Sequence, residues 1–190
     1  MPGARSDPEH ASAGRDWAQS ADFDQPLEFL RACHIRVAAH SDLLQWLASH
    51  IKLHECDAEA QQAASFVLRY FDGAGRHHRE DEDLELFPQL RAAARGQNAE
   101  RVALLVAQLS AEHEALAGEW NGMRGHLELI AHGERVLLRE LEVDRFCKLY
   151  RTHIALEEAN LLPLAAMILD RERMAAIGRA MAARRGVKWP

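Results

Sequence analysis

The chain is poor in thiol. Its 190 residues hold three cysteines, Cys33, Cys56 and Cys147, and no C-x-x-C pair. An odd, scattered set excludes a disulfide scaffold and is at home in a reducing compartment. Positive charge is also short: 23 Lys and Arg against 29 Asp and Glu leave a net charge of −6, which argues against nucleic acid as the main partner. The basic run at the end, Arg184-Arg185 with Lys188, is too small to reverse that balance. No apolar run approaches the ~18 residues of a membrane span, and MPGARSDPEHASAGRD lacks the apolar stretch of a signal peptide. A cytoplasmic protein without a membrane partner is expected. Aromatics make up only 6%, and no alternating strand pattern or hairpin turn is found.

Helical periodicity is plentiful. Residues 1–24 mix Pro, Gly, Ser and Asp without a period and read as a flexible arm, with Trp17 and Phe23 available to pin it to the body. Pro26 suits a first helical position after Asp24 as N-cap, and Leu30, His34, Val37, Ser41, Leu44, Ala48 and Ile51 then recur at steps of four and three. A second stretch runs from about Asp57 to about Ala94. Gly73 and Gly75 are expected to break or kink it, and Pro88 to end or bend it. Asn98 is expected to cap a third stretch, from Val102 through His113 to Ile130, that stops at His132-Gly133. A fourth carries Phe146, Leu149, His153, Glu157 and Leu164, bent by Pro163. After Asp170 as N-cap, Met174, Ile177 and Met181 mark a short amphipathic tail helix. The expected fold is all-α: an antiparallel up-down four-helix bundle over 25–170, with a flexible arm at 1–24 and a tail helix within 171–190.

Histidine interrupts these apolar seams. His34, His113 and His153 take seam positions otherwise filled by Leu, Val or Ile, and His78 does so if its helix is continuous. Their separations of 44, 35 and 40 residues each suit one helix plus a loop, so four imidazoles can meet at one level. A step of four turns a helix by about 400°, which puts His78 with Glu82, and His153 with Glu157, on one face each. Both pairs lie 75 positions apart. Two glutamates buried together repel and are costly as bare charges, a difficulty that a pair of cations removes. Imidazole and carboxylate together suit iron, manganese or zinc.

The segments HREDEDLELFP (78–88) and HIALEEANLLP (153–163) resemble the paired H-x-x-x-E-x-x-x-[LV]-[FL]-P segments of the hemerythrin-like HHE cation-binding family. The resemblance covers about residues 26–168. It implies a non-haem di-iron centre in a four-helix bundle, with His34, His78, Glu82, His113, His153 and Glu157 at the ligand positions. Oxygen-carrying hemerythrins have a second His on the third helix, one turn from the first; here those positions are Leu109 and Ala117. The four-His, two-Glu set is similar instead to that of bacterial proteins that repair iron centres under oxidative and nitrosative stress. Those carry an N-terminal cysteine-containing domain for which this chain leaves no room. The resemblance implies handling of a small diatomic ligand (dioxygen, peroxide or nitric oxide) or supply of iron in stress, with a redox or iron-accepting protein as partner. The alternative is an iron- or redox-responsive sensor or interaction module without turnover.

The plainer reading is a bundle whose polar core residues satisfy one another. His10, His40, His50, His54, His77, His126 and His132 have no partner at ligand spacing and read as surface or core residues. Of the acids beside the six, Asp81, Asp83, Glu112, Glu114 and Glu158, most are expected on a solvated face, with a minority orienting an imidazole. Tyr150, one turn before His153, reads as core packing at the edge of a pocket, Trp120 and Met123 as core, and Cys33 and Cys147 as buried, unreactive thiols.

Overall fold

The computed structural model describes residues 23–189, and among them there is helix and no strand. Five helices follow one another: α1 (Pro26–Leu53), α2 (58–93), α3 (Gln97–Ala131), α4 (140–168) and α5 (Arg171–Arg184). α1 packs on α2 and α4, and α3 packs on the same two. Trp17 lies outside the described residues.

Three helix starts follow their local chemistry. Pro26 opens α1; the Asp57 carboxylate accepts the Ala60 N–H at 2.8 Å, and that of Asp170 accepts the Arg173 N–H at 2.9 Å. Two expected caps are corrected. Asp24 does not cap α1, where Gln25 stands at the N-cap; its carboxylate takes the indole N–H of Trp189 at 3.2 Å instead. Asn98 lies inside α3, because Gly96 turns the chain two residues earlier with φ 56°, a conformation that costs glycine little. His132 and Gly133 (φ 88°) end α3 as expected.

α2 neither breaks at its glycines nor ends at Pro88. Wide π-helical turns occupy Tyr70–Ala74 and Glu82–Leu86 in α2, and Glu157–Leu161 in α4. A wide turn holds more residues per turn, so a step of four stays on one face instead of drifting past it. Each proline follows such a turn, at the start of a fresh α-helical segment where its missing N–H does least harm. The two repeated segments therefore share a backbone irregularity as well as a spelling.

The core is in two parts. One apolar cluster holds Leu30, Leu86, Phe87, Leu109 and Leu161; the other holds Val37, Phe71, Leu116, Met123 and Phe146. Burying such side chains stabilises the fold by about 1.5–3 kcal/mol each. Along α1 and α3 the first cluster comes first; along α2 and α4 the second does. In every case the histidines and glutamates stand between the two.

α5 closes the end next to the first cluster. Asp81, fully buried, is gripped by Arg184 and by Arg185, the latter at 2.6 Å, and the Arg185 guanidinium lies 4.6 Å from the Phe29 ring. The expectation that residues beside the ligand positions are solvated fails at Asp81, because the tail helix covers it. Phe23 stacks on Phe29 at 5.1 Å and meets Trp189 edge-on at 5.2 Å. Its carbonyl oxygen runs so close over Gly178 that an added Cβ would sit 1.9 Å from it.

Candidate metal centre

The structure brings all six histidines and glutamates singled out in the sequence together, each 3% exposed or less. They form two overlapping groups, His34, His78, Glu82 and Glu157, and Glu82, His113, His153 and Glu157. α1 and α3 give one imidazole each; α2 and α4 give a His and a Glu each, the Glu opening the wide turn. Glu82 reaches both groups: Oε1 lies 3.5 Å from His78 Nε2, and Oε2 lies 3.3 Å from His113 Nε2. Glu157 does the same, with Oε2 3.1 Å from His34 Nε2 and Oε1 3.4 Å from His153 Nε2.

The outer nitrogens explain why the inner ones face carboxylates. His34 Nδ1 lies 2.6 Å from Glu158, His113 Nδ1 2.8 Å from Asp83, and His153 Nδ1 2.8 Å from Glu112. A carboxylate accepts only, so each Nδ1 carries the proton and donates it. In the neutral tautomer every Nε2 is then a bare lone pair aimed at Glu oxygens or at another lone pair, as between His113 Nε2 and His153 Nε2 at 3.1 Å. Among the described residues, both oxygens of Glu82, both of Glu157, and His34 Nε2 have no hydrogen-bond partner. Such a cluster of inward acceptors lacks a positive centre, and protons or metal ions are what can supply it.

The electrostatics of the cluster without metal follow. Burial opposes the imidazolium forms of His34 and His113. Contact with Glu157 and Glu82 for His34, and with Asp83 and Glu82 for His113, outweighs it and pushes each up to about 10. His153 is also raised, against burial, by Glu157. Burial opposes ionisation of the glutamates, and Glu82 repels Glu157, yet the surrounding histidines hold both carboxyls below the usual range. His78 goes the other way: burial lowers it to about 4, and its Nδ1 has no hydrogen-bond partner among the described residues.

A pocket of about 350 Å³ reaches this centre and is bordered by His78, Glu82, His113 and His153. Phe71, Leu116 and Tyr150 give it apolar wall. Trp120, expected in the core, is half-buried at its edge and donates its indole N–H to Asp72 at 2.9 Å. Tyr150 packs against Phe146 and Phe71, and burial, with the charges of Glu82 and Glu157, keeps its phenol protonated. Ala117, one turn after His113, also borders the pocket, while Leu109, one turn before, packs in the first core cluster.

Residues 25–165 match the family model of the hemerythrin HHE cation-binding domain, about three quarters of the chain. The chain belongs to the hemerythrin HHE family. A relative in Haemophilus influenzae, described as an uncharacterized protein, is 31% identical over 171 residues, covering 90% of this chain and 95% of that one. The donor set fits the cations for which this family is named: four imidazole nitrogens and two shared carboxylates, buried, with orphaned lone pairs turned inward.

The remaining histidines of this HHE protein stand apart from the centre. His40 stacks on Tyr70 at 3.8 Å; His50 stacks between Trp46 and His54 and bonds Asp57 at 2.9 Å; His132 bonds the Glu128 carbonyl at 2.7 Å. His54, His77 and His126 join neither group, and His10 lies outside the described residues. Cys33 and Cys147 are buried, and burial pushes both thiols up to about 11, so neither is a ready nucleophile. Asp81 and its arginines are what sequence reasoning missed. Their signal, an acid beside Glu82 and a basic pair at the chain end, was present but not joined.

Proposed function

We propose that this chain is a cytoplasmic non-haem di-iron protein. His34 and His78 would hold one iron and His113 and His153 the other, with Glu82 and Glu157 in reach of both; manganese or zinc suit the same donors. The observation that carries the reading is the set of orphaned inward lone pairs on Glu82, Glu157 and His34, with three outer nitrogens fixed by carboxylates. The alternating order of the two core clusters along α1 to α4 supports an antiparallel up-down four-helix bundle as the scaffold.

With four protein donors to each ion, the pair would have room for a small diatomic ligand: dioxygen, peroxide or nitric oxide. The metal pair supplies redox chemistry there. The chain's own residues set the access. Phe71 and Leu116 give the pocket apolar wall, and Tyr150 offers it a protonated phenol. Leu109 and Ala117 add no fifth imidazole on α3, which favours reaction or iron supply in oxidative and nitrosative stress over oxygen storage. A redox or iron-accepting protein would be the partner.

A second reading, a metal-responsive interaction module, draws on Asp81. This residue precedes Glu82 and anchors α5, so occupancy of the centre has a direct route to the tail helix. Anaerobic titration of the iron-loaded chain with nitric oxide and with peroxide tests the first reading. A spectral change saturating near two equivalents of nitric oxide, with continued consumption of peroxide, is expected. A spectrum that ignores both ligands contradicts it, and a single stoichiometric change without turnover favours the module.

A further inference from the structure

Three arginines border the pocket, Arg76, Arg79 and Arg124, against one carboxylate outside the centre, Asp72. Two of the three are occupied. Arg124 bonds Asp72 at 2.9 Å and Glu128 at 2.8 Å, and Arg76 bonds Glu80 at 3.1 Å and the Asp72 carbonyl at 3.2 Å. Arg79 is different. It follows His78 directly in α2 and is half-buried, and its guanidinium makes no hydrogen bond or ion pair among the described residues. Partly buried guanidinium groups are normally paired, because five N–H donors and a full charge are costly to leave idle.

The pocket also has the size and lining for a small polar guest rather than a large apolar one. Its lining joins metal-centre residues to others of which more are positive than negative. Local charge of this kind draws in and orients anions. A planar fork of donors recognises small oxyanions and similar ions better than a neutral diatomic molecule, to which it makes only weak contacts.

We infer that Arg79 is a specificity residue that holds a small monovalent anion in this pocket, beside the positions left open on the metal pair. This rests on the proposed function and narrows its ligands: Arg79 favours those that enter as anions, such as the anionic form of peroxide, over neutral dioxygen and nitric oxide. Arg79 is no metal ligand, so its removal leaves the centre able to load.

The test uses azide as the anionic probe and nitric oxide as the neutral one, each titrated spectroscopically into the full iron-loaded chain, ferric for azide and ferrous for nitric oxide. Metal content is measured in the same samples. Arg79→Gln is expected to weaken azide binding about tenfold, the loss of one charge-assisted contact, and to leave nitric oxide affinity within about twofold. Arg79→Lys, which keeps the charge, is expected to retain most of the azide affinity. Arg124→Gln, whose charge is already spent on Asp72 and Glu128, is the comparison and should change azide affinity by less than about threefold. Azide affinity indifferent to Arg79→Gln, or azide and nitric oxide weakened alike, overturns the inference while the metal centre stands. A wild-type chain that holds no metal overturns both.

Discussion

Glu112, one residue before His113, reaches across to His153 and holds its Nδ1 at 2.8 Å; the matching residue, one before His34, is Cys33. The other supports come as a pair. Asp83, after Glu82, holds His113, and Glu158, after Glu157, holds His34. Only the Cys33 position breaks the pattern: its thiol receives an N–H from Arg36 at 2.9 Å, and His78 Nδ1 is left without a partner. Two half-sites built from one repeated plan are therefore unequal.

Unequal half-sites predict unequal metal affinities. Carboxylate partners orient a ligating imidazole and raise its basicity, and losing one costs about 10–100-fold in metal affinity. The His113 and His153 side should fill first, the His34 and His78 side second. Anaerobic titration with ferrous iron should resolve two steps, and Glu112→Gln should weaken the tighter one. A single step of two equivalent ions, unaffected by Glu112→Gln, contradicts this.

The metal-free protein should lose stability as pH rises from about 6.5 to about 10. His34 and His113 are held protonated when folded, up to about 10, and release their protons near 6.5 when unfolded. The folded state thus binds more protons across that window, and its advantage is full below 6.5 and gone above 10. The lowered Glu82 and Glu157 carboxyls act at the acid end, where their contribution is lost as pH falls through and below the usual carboxylate range. Metal ions displace the imidazolium protons, so binding should release protons near neutrality and strengthen with pH. Melting curves at pH 6.5 and 9, with and without metal, check both signs; a metal-free melting point that rises over that interval sinks the account.

Asp81→Ala should destabilise the fold by about 3 kcal/mol, since it strands Arg184 and Arg185 beside a buried gap. Gly178→Ala should be harmful for a different reason, because the Phe23 carbonyl oxygen must move to admit a Cβ. Urea unfolding of both variants measures this, and a loss below about 0.5 kcal/mol for Asp81→Ala would show that the tail helix is not held there.

The helices and the inward histidines were legible because period alone carries them. His34, His113 and His153 replace aliphatic residues in series of fours and threes, and the repeat of His78 with Glu82 shows in the spelling. What stayed hidden depends on the third dimension. Pro88 read as an end or bend of its helix and Pro163 as a bend, because a wide turn that accommodates a proline has no marker in a single sequence. Asp83, Glu112 and Glu158 looked like solvated acids until the neighbouring helices brought Nδ1 atoms to them. Asp81 looked the same as Asp83, and only the return of the chain end over α2 separates their roles. Asn98 and Asp24 were misplaced as caps by one or two residues, within reach of the glycine turn at Gly96 and the proline at Pro26 that decide the starts.

The central claim is that six buried side chains hold a pair of metal ions. The most direct test is metal content per chain, by elemental analysis of protein purified without oxygen from iron-replete cells, alongside Glu157→Ala and His50→Ala. The account predicts about two irons per wild-type chain, a clear loss in Glu157→Ala, which removes a shared ligand, and full retention in His50→Ala, whose imidazole is tied to Asp57 away from the centre. A folded wild-type chain without metal, or equal loss in both variants, would contradict it.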